Sequence, residues 1–222
     1  MKIAIFYHCF FCRPDLRPEA CAVVYEQMNA LECSGLLSQA EEFTVGINGG
    51  EESMDSARLF IPNCARKVFH GLDSKNENLT LMQLELWAPS HQDWFVLYFH
   101  AKGSSFEPSN PYGQLAARWR HCMTHHLILN WQQCVSDLGC HEAVGCHWQR
   151  GIDDTQHYFA GNFFWCRASF FSTIPSMMQR ECIRRYGVKS TEARYEAEVV
   201  IGNGPRLPVV RDYAKHRAGG CP

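Results

Sequence analysis

Asp93 to Ser105 reads D-W-F-V-L-Y-F-H-A-K-G-S-S, and the fold turns on how its first half is read. Trp94 to Phe99 is apolar or aromatic at every position. A strand of that kind, rather than one apolar at alternate positions, is covered on both faces, as at the centre of a parallel α/β sheet. It is also too short to cross a membrane. The run stops at His100-Ala101-Lys102-Gly103, where two ionisable side chains and a glycine follow the last apolar residue. In open α/β sheets the ligand crevice lies beyond the carboxyl ends of the strands. His100 and Lys102 therefore fall where a ligand is expected; the competing reading is an ordinary solvated exit from a strand.

Working outward toward the N-terminus, Lys2 to His8 reads as a first buried strand and Glu19 to Leu31 as an amphipathic helix ended by Gly35. Glu42 to Ile47 is a second strand, Glu51 to Leu59 a short helix and Arg66 to His70 a third strand. That alternation opens a doubly wound α/β fold. Asn76-Glu77-Asn78 caps a helix over Leu79 to Trp87, which delivers the chain to the apolar run.

On the far side, Phe106 to Tyr112 is a loop with Pro108 and Pro111, and Gln114 to Leu138 carries the stripe of the longest helix. Glu142 to Trp148 reads as a strand, and Gln149 to Gln156 as a polar loop holding Asp153-Asp154. His157 to Phe171 is an aromatic run interrupted by Gly161-Asn162. There glycine lets a backbone or ligand approach closely, and asparagine offers a donor and an acceptor together. An aromatic core strand with a glycine bulge is the alternative. Ser176 to Tyr186 and Arg194 to Ile201 read as helical, the latter with Glu196 and Glu198, and residues 202–222 as a surface-covering tail. The whole, 1–222, is expected to be one domain.

Hydrophobic residues make up 46% of the 222 and charged ones 20%, ordinary for a globular chain. A net charge of -2 with a pI near 6.6 gives no broad basic surface for nucleic acid, so an anionic ligand must be met by local cations. The sequence opens with no leader pattern and holds no membrane-length apolar run, so a cytoplasmic protein with mostly reduced cysteines is expected among its twelve. Three metal or redox alternatives stay open: the Cys9/Cys12 pair, His121 with His125 at helical spacing, and Cys140-His141 with Cys146-His147. Ligands of the last set would alternate across a strand and face opposite sides.

Five motifs then occur in order: L-Y-F-H-A-K-G (97–103), W-R-H-C-M (119–123), V-G-C-H-W (144–148), H-Y-F-A-G-N-F-F-W (157–165) and R-Y-E-A-E (194–198). Together they resemble a family of mostly bacterial, surface-polysaccharide-associated glycosyltransferase-like proteins with the pattern Y-x-H-x-K-G, W-R-x-x-M, H-x-x-G-N-F-W-W and Y-E-x-E. The resemblance implies a GT-A-like, Rossmann-type α/β/α sandwich with a mostly parallel central sheet. It also implies transfer of a sugar from a nucleotide-sugar donor to a hydroxyl of a saccharide or glycan acceptor.

The wider GT-A pattern places Asp-x-Asp after the central strand to hold a divalent metal. Here that position reads His100-Ala101-Lys102, and no Asp-x-Asp occurs in the chain. Either protein cations replace the metal, or Asp153 and Asp154 bind manganese or magnesium from another loop. In the first reading His100, Lys102, Gly103, Arg120, Gly161 and Asn162 form the donor site, with a lysine ammonium suited to phosphate oxygens. His157, Glu196 or Glu198 is then the catalytic base. Phe163, Phe164 and Trp165 offer an aromatic platform. A non-catalytic nucleotide- or saccharide-binding protein on the same fold is the alternative function.

Overall fold

Alternating strand and helix patterns become one central sheet covered on both faces in the computed structural model, which describes residues 1–11, 17–71, 76–107, 109–150, 156–188 and 190–214. In chain order these are β1 (Lys2–Phe11), α1 (Arg17–Cys33), α2 (Leu36–Gln39), β2 (Glu42–Gly49), α3 (Ser53–Phe60), β3 (Arg66–Phe69), α4 (Asn78–Trp87) and β4 (Trp94–His100). Then follow α5 (Pro111–Thr124), α6 (Trp131–Asp137), β5 (Ala143–Gly145), β6 (Trp148–Arg150), β7 (His157–Phe159), β8 (Phe164–Arg167), α7 (Ala168–Phe171), α8 (Glu181–Tyr186), α9 (Arg194–Glu198) and β9 (Val210–Asp212).

The main sheet runs β3-β2-β1-β4-β8-β5-β9, and β6 with β7 forms a separate ribbon. β4 is thus central, as its unbroken apolar run predicts. Its neighbours show why: Ile5, Tyr7, Leu97, Phe99 and Trp165 point into one core, while Ala4, Phe6, Val96, Tyr98 and Phe164 point into a second on the opposite face. The α/β, mostly parallel, Rossmann-type class expected from the sequence is the class found, and among the described residues β8 is the one main-sheet strand that runs antiparallel to both neighbours.

That reversal positions the site. Because β8 opposes β4, with Tyr98 paired to Phe164, the start of β8 lies beside the end of β4. The turn 159–163 leading into β8 is therefore set down next to His100. On the other flank, β1 is in parallel register with β4 so that His8 pairs with His100.

Several local expectations are corrected. The helix expected over Gln114 to Leu138 is α5 and α6 joined by a π-helical turn, His125–Leu129, which ends where Asn130 leaves helical backbone and donates from Nδ2 to the His125 carbonyl at 2.7 Å. The strand expected over Glu142 to Trp148 is interrupted at His147, whose φ is 60°. Part of the tail is structural: Val210–Asp212 adds β9 to β5, and the Asp212 carboxylate accepts from the backbone nitrogens of His147 and Trp148 at 2.8 and 2.9 Å. Phe163, Phe164 and Trp165 are fully buried, so they form core rather than a sugar platform. Nine of the described cysteines are free, but Cys122 is disulfide-bonded. Cys12 lies outside the described residues. Among those residues no helix is long and apolar enough to cross a membrane.

Candidate active site

Beyond the carboxyl ends of β1 and β4 lies a cavity of about 120 Å³. Its walls come from widely separated parts of the chain. His8 lies within β1 beside His100, the last residue of β4; Lys102 to Phe106 form the exit of β4, Gly161 and Asn162 form the turn before β8, Glu77 is the N-cap of α4, and Arg194 and Glu198 come from α9.

His100 is a fixed, neutral part of this wall. Its Nε2 is 2.8 Å from the Gly161 carbonyl, an acceptor only, so Nε2 carries the proton and donates. Burial and the nearby Lys102 ammonium push its pKa down to about 3. His100 therefore anchors the Gly161-Asn162 turn rather than offering a charge. The turn needs its sequence: Gly161 has φ 96° and Asn162 φ 54°, the left-handed region that glycine and asparagine tolerate. A Cβ on Gly161 would also meet the Met123 Sδ and Cε at 2.9 Å, and would touch the Lys102 stem. The turn thereby presents the Asn162 side chain to the cavity, 2% exposed, with an Nδ2 that makes no hydrogen bond of normal geometry.

Lys102 is half-buried, its Nζ 5.3 Å from the centre of the Trp119 ring. Burial lowers its pKa, while Glu198 and Glu77 work the other way. Gly103, with φ 89°, turns the chain beneath it. Arg120 is elsewhere engaged. Its guanidinium donates to Glu26 Oε1 and Oε2 at 3.1 and 2.8 Å and to the Lys102 carbonyl at 2.8 Å. It holds the lysine's backbone in place and borders a neighbouring cavity of about 270 Å³. Burial pushes Glu26 up, but Arg120 and His121 more than offset this and leave its carboxyl below the ordinary value.

Of the three candidate bases, the structure brings only Glu198 to the cavity, where it pairs with Arg194 at 3.2 Å. Glu196 faces away and pairs with Arg180 at 3.7 Å. His157 is buried in β7 with its ring stacked on Trp148 and does not line the cavity. Asp153 and Asp154 lie outside the described residues. Among the described residues no three His, Cys, Asp or Glu side chains converge on a metal position; His121, for instance, meets Glu26 at 3.4 Å.

A divalent ion, which the fold class implies, does not suit the described walls either. Their two carboxylates, Glu77 and Glu198, are already matched by Lys102 and Arg194, and a dication would have to displace those cations.

Sequence reasoning missed Glu77, Arg194 and His8. Glu77 is 7% exposed and sits at the N-cap of α4 without capping it. Asn76 serves the helix start instead, its Oδ1 accepting from the Asn78 backbone nitrogen at 3.0 Å, which leaves the Glu77 carboxyl free to turn inward. Burial raises its pKa to about 7, against the Tyr98 hydroxyl that donates to it and the nearby Lys102, Asn162 and Arg194. A signal was present: glutamate is a poor N-cap residue flanked here by two good ones. His8 is 2% exposed, with Nδ1 on the Thr80 hydroxyl at 2.9 Å and Nε2 lacking a partner.

No curated protein matches the chain significantly. Among solved structures it is similar to 4-diphosphocytidyl-2C-methyl-D-erythritol synthase from Anaerococcus prevotii DSM 20548. The identity is 11%, the match covers 95% of this chain and 86% of that one, and the TM-score is 0.45. Residues 6–181, carrying the second half of β1, β4, Glu77, Lys102 and the Gly161-Asn162 turn, match the model of a family described as a domain of unknown function, DUF8361, and the chain belongs to that family.

Proposed function

We propose that the protein is a glycosyltransferase that takes a sugar from a nucleotide-sugar donor, without a divalent metal, and passes it to a saccharide hydroxyl. The observation that carries this reading is the Lys102 side chain, half-buried in a cavity at the carboxyl end of the central strand and backed by Arg194. Ligands of open α/β sheets bind at that place, and a leaving diphosphate needs cations in a partly dry site. The motif resemblance to glycosyltransferase-like proteins supports the same choice. A cavity of about 120 Å³ is small beside ordinary ligand pockets of roughly 300–1,000 Å³. It suits the sugar–phosphate junction, with the nucleoside lying outside it.

Titration calorimetry of wild type and Lys102→Ala with UDP-glucose and GDP-mannose, each in EDTA and in manganese, tests the proposal. Wild type should bind one of them equally in both buffers. Lys102→Ala should weaken binding about ten- to a hundredfold, since a charge-assisted contact contributes roughly 1.5–3 kcal/mol. Binding that vanishes in EDTA, or a variant that binds as tightly as wild type, overturns the lysine-for-metal reading and returns attention to Asp153 and Asp154.

A further inference from the structure

The cavity contains one ionisable carboxyl that no motif marks, and its surroundings are those of a proton-transfer group. Asn76, Glu77 and Asn78 form a short frame. Asn76 Nδ2 donates to the Val188 and Ser190 carbonyls, at 2.5 and 3.3 Å, and Asn78 Nδ2 donates to the Ala193 carbonyl at 2.6 Å. These bonds clamp the segment leading into α9, the helix that brings Arg194 and Glu198 to the cavity. Asn48 Nδ2 in turn holds the Asn76 carbonyl at 2.8 Å. The residue between the two asparagines projects inward, with one carboxyl oxygen on the Tyr98 hydroxyl. Beside it His8 Nε2 lines the same cavity without a partner, and Asn162 Nδ2, whose amide bears on Glu77, makes no hydrogen bond of normal geometry. Buried polar groups in proteins are normally satisfied, so an orphaned ring nitrogen beside an amide of poor hydrogen-bond geometry marks a place for ligand atoms.

We propose that Glu77 is the group that accepts the acceptor hydroxyl's proton, an inference that rests on the glycosyltransferase reading above. In the step, the acceptor O–H proton passes to a Glu77 carboxylate oxygen, and the freed electron pair of the acceptor oxygen forms the bond to the anomeric carbon. The bond from that carbon to the diphosphate oxygen breaks, its electron pair leaving with the diphosphate, toward Lys102 and Arg194. Asn162 and His8 offer hydrogen bonds to sugar hydroxyls. The charged and titratable groups that face Glu77 are Tyr98 and His100 from β4, Lys102 from its exit, His8 from β1, and Arg194 with Glu198 from α9. A carboxyl poised near the working pH is efficient at such transfer, and Glu77 lies close to neutrality.

The test compares wild type, Glu77→Gln and Glu77→Asp. Binding of UDP-glucose and GDP-mannose is measured by calorimetry, and release of nucleoside diphosphate is followed with glucose, galactose and mannose as acceptors. A donor that binds wild type should bind Glu77→Gln within about threefold. Turnover should fall at least a hundredfold, the scale of a lost general base, and the acid limb of the pH profile should disappear. Glu77→Asp should recover part of the rate together with that limb. Turnover by Glu77→Gln near the wild-type rate with an unchanged profile overturns the inference alone. Failure of wild type to bind either donor overturns the glycosyltransferase reading beneath it. Binding without turnover by wild type overturns both in favour of a non-catalytic binding protein.

Discussion

Asn76–Asn78 and Arg194–Glu198 pack against each other at one cavity, yet they bring glutamates to it in opposite ways. In the first, two asparagines are spent on backbone carbonyls, so the single glutamate between them has nowhere to go but inward and becomes buried with a perturbed pKa. In the second, two glutamates sit two positions apart on a helix, about 200° around its axis. One must face the cavity if the other faces the protein behind it: Glu198 lines the site and Glu196 pairs with Arg180. A carboxylate in a motif is thus not a carboxylate in a site. What decides is the direction its backbone gives it, and whether a neighbour already holds it.

The largest effect expected from this contrast is a pH dependence of stability carried by Glu77. Its folded value of about 7 lies above its ordinary 4.5, so folding takes up a proton between those limits. The wild type therefore loses stability as pH rises through that window, and below it the loss is absent. Glu77→Gln cannot lose it, and its amide oxygen can still accept from Tyr98. The stability of the variant relative to wild type should increase by about 3 kcal/mol between pH 4.5 and 8. Urea unfolding at a series of pH values measures this. A difference that stays flat with pH would make Glu77 an ordinary carboxylate and erase the contrast with Glu198.

Glu196→Gln should do the reverse, costing stability without touching the site. Arg180 and Glu196 side chains are 7% and 13% exposed, and a buried ion pair broken on one side leaves an uncompensated charge. The 3.7 Å separation, and the hydrogen bond that Arg180 keeps to the Glu196 carbonyl, limit the loss to about 2 kcal/mol. Unfolding midpoints should show it, while affinity for a bound donor stays within twofold of wild type. A loss of affinity to match the loss of stability would mean that the two faces of α9 are not separate.

How much of this was legible in the sequence follows from the range of the forces involved. The two-sided apolar run of β4, the strand–helix alternation and the abrupt arrival of His100 and Lys102 are local patterns, and they located the central strand and one wall of the cavity. Gly161-Asn162 was visible as an oddity, because only a turn with positive φ needs that pair inside an aromatic run. Long-range pairings were not visible. Nothing near Arg120 announces Glu26, 94 positions away, and nothing near Asn78 announces Ala193, 115 positions away. The inward turn of Glu77 depends on both asparagine clamps, and the split between Glu196 and Glu198 depends on Arg180. The antiparallel setting of β8, which carries the asparagine to the histidine, is likewise a matter of topology rather than of any one segment.

The smallest expected change in stability belongs to Glu198, and it separates the two regions most finely. Its pair with Arg194 is half exposed, 32% and 40%, and spaced i,i+4 on one helix; pairs of this kind contribute about 0.3–0.5 kcal/mol. Glu198→Gln should therefore unfold almost as wild type does. In the cavity, however, the substitution removes a negative charge that faces Lys102 and frees Arg194 from its partner. A nucleoside diphosphate then meets two cations with one fewer competing anion. Affinity for UDP or GDP should rise about three- to tenfold, which corresponds to roughly 0.6–1.4 kcal/mol. Turnover should persist, because the proton acceptor is Glu77 and Glu198 only tunes the charge around the leaving group. Calorimetric titration with UDP and GDP beside a turnover assay decides the matter. If Glu198→Gln loses turnover as deeply as Glu77→Gln does, with diphosphate affinity unchanged, the helix rather than the asparagine frame supplies the base.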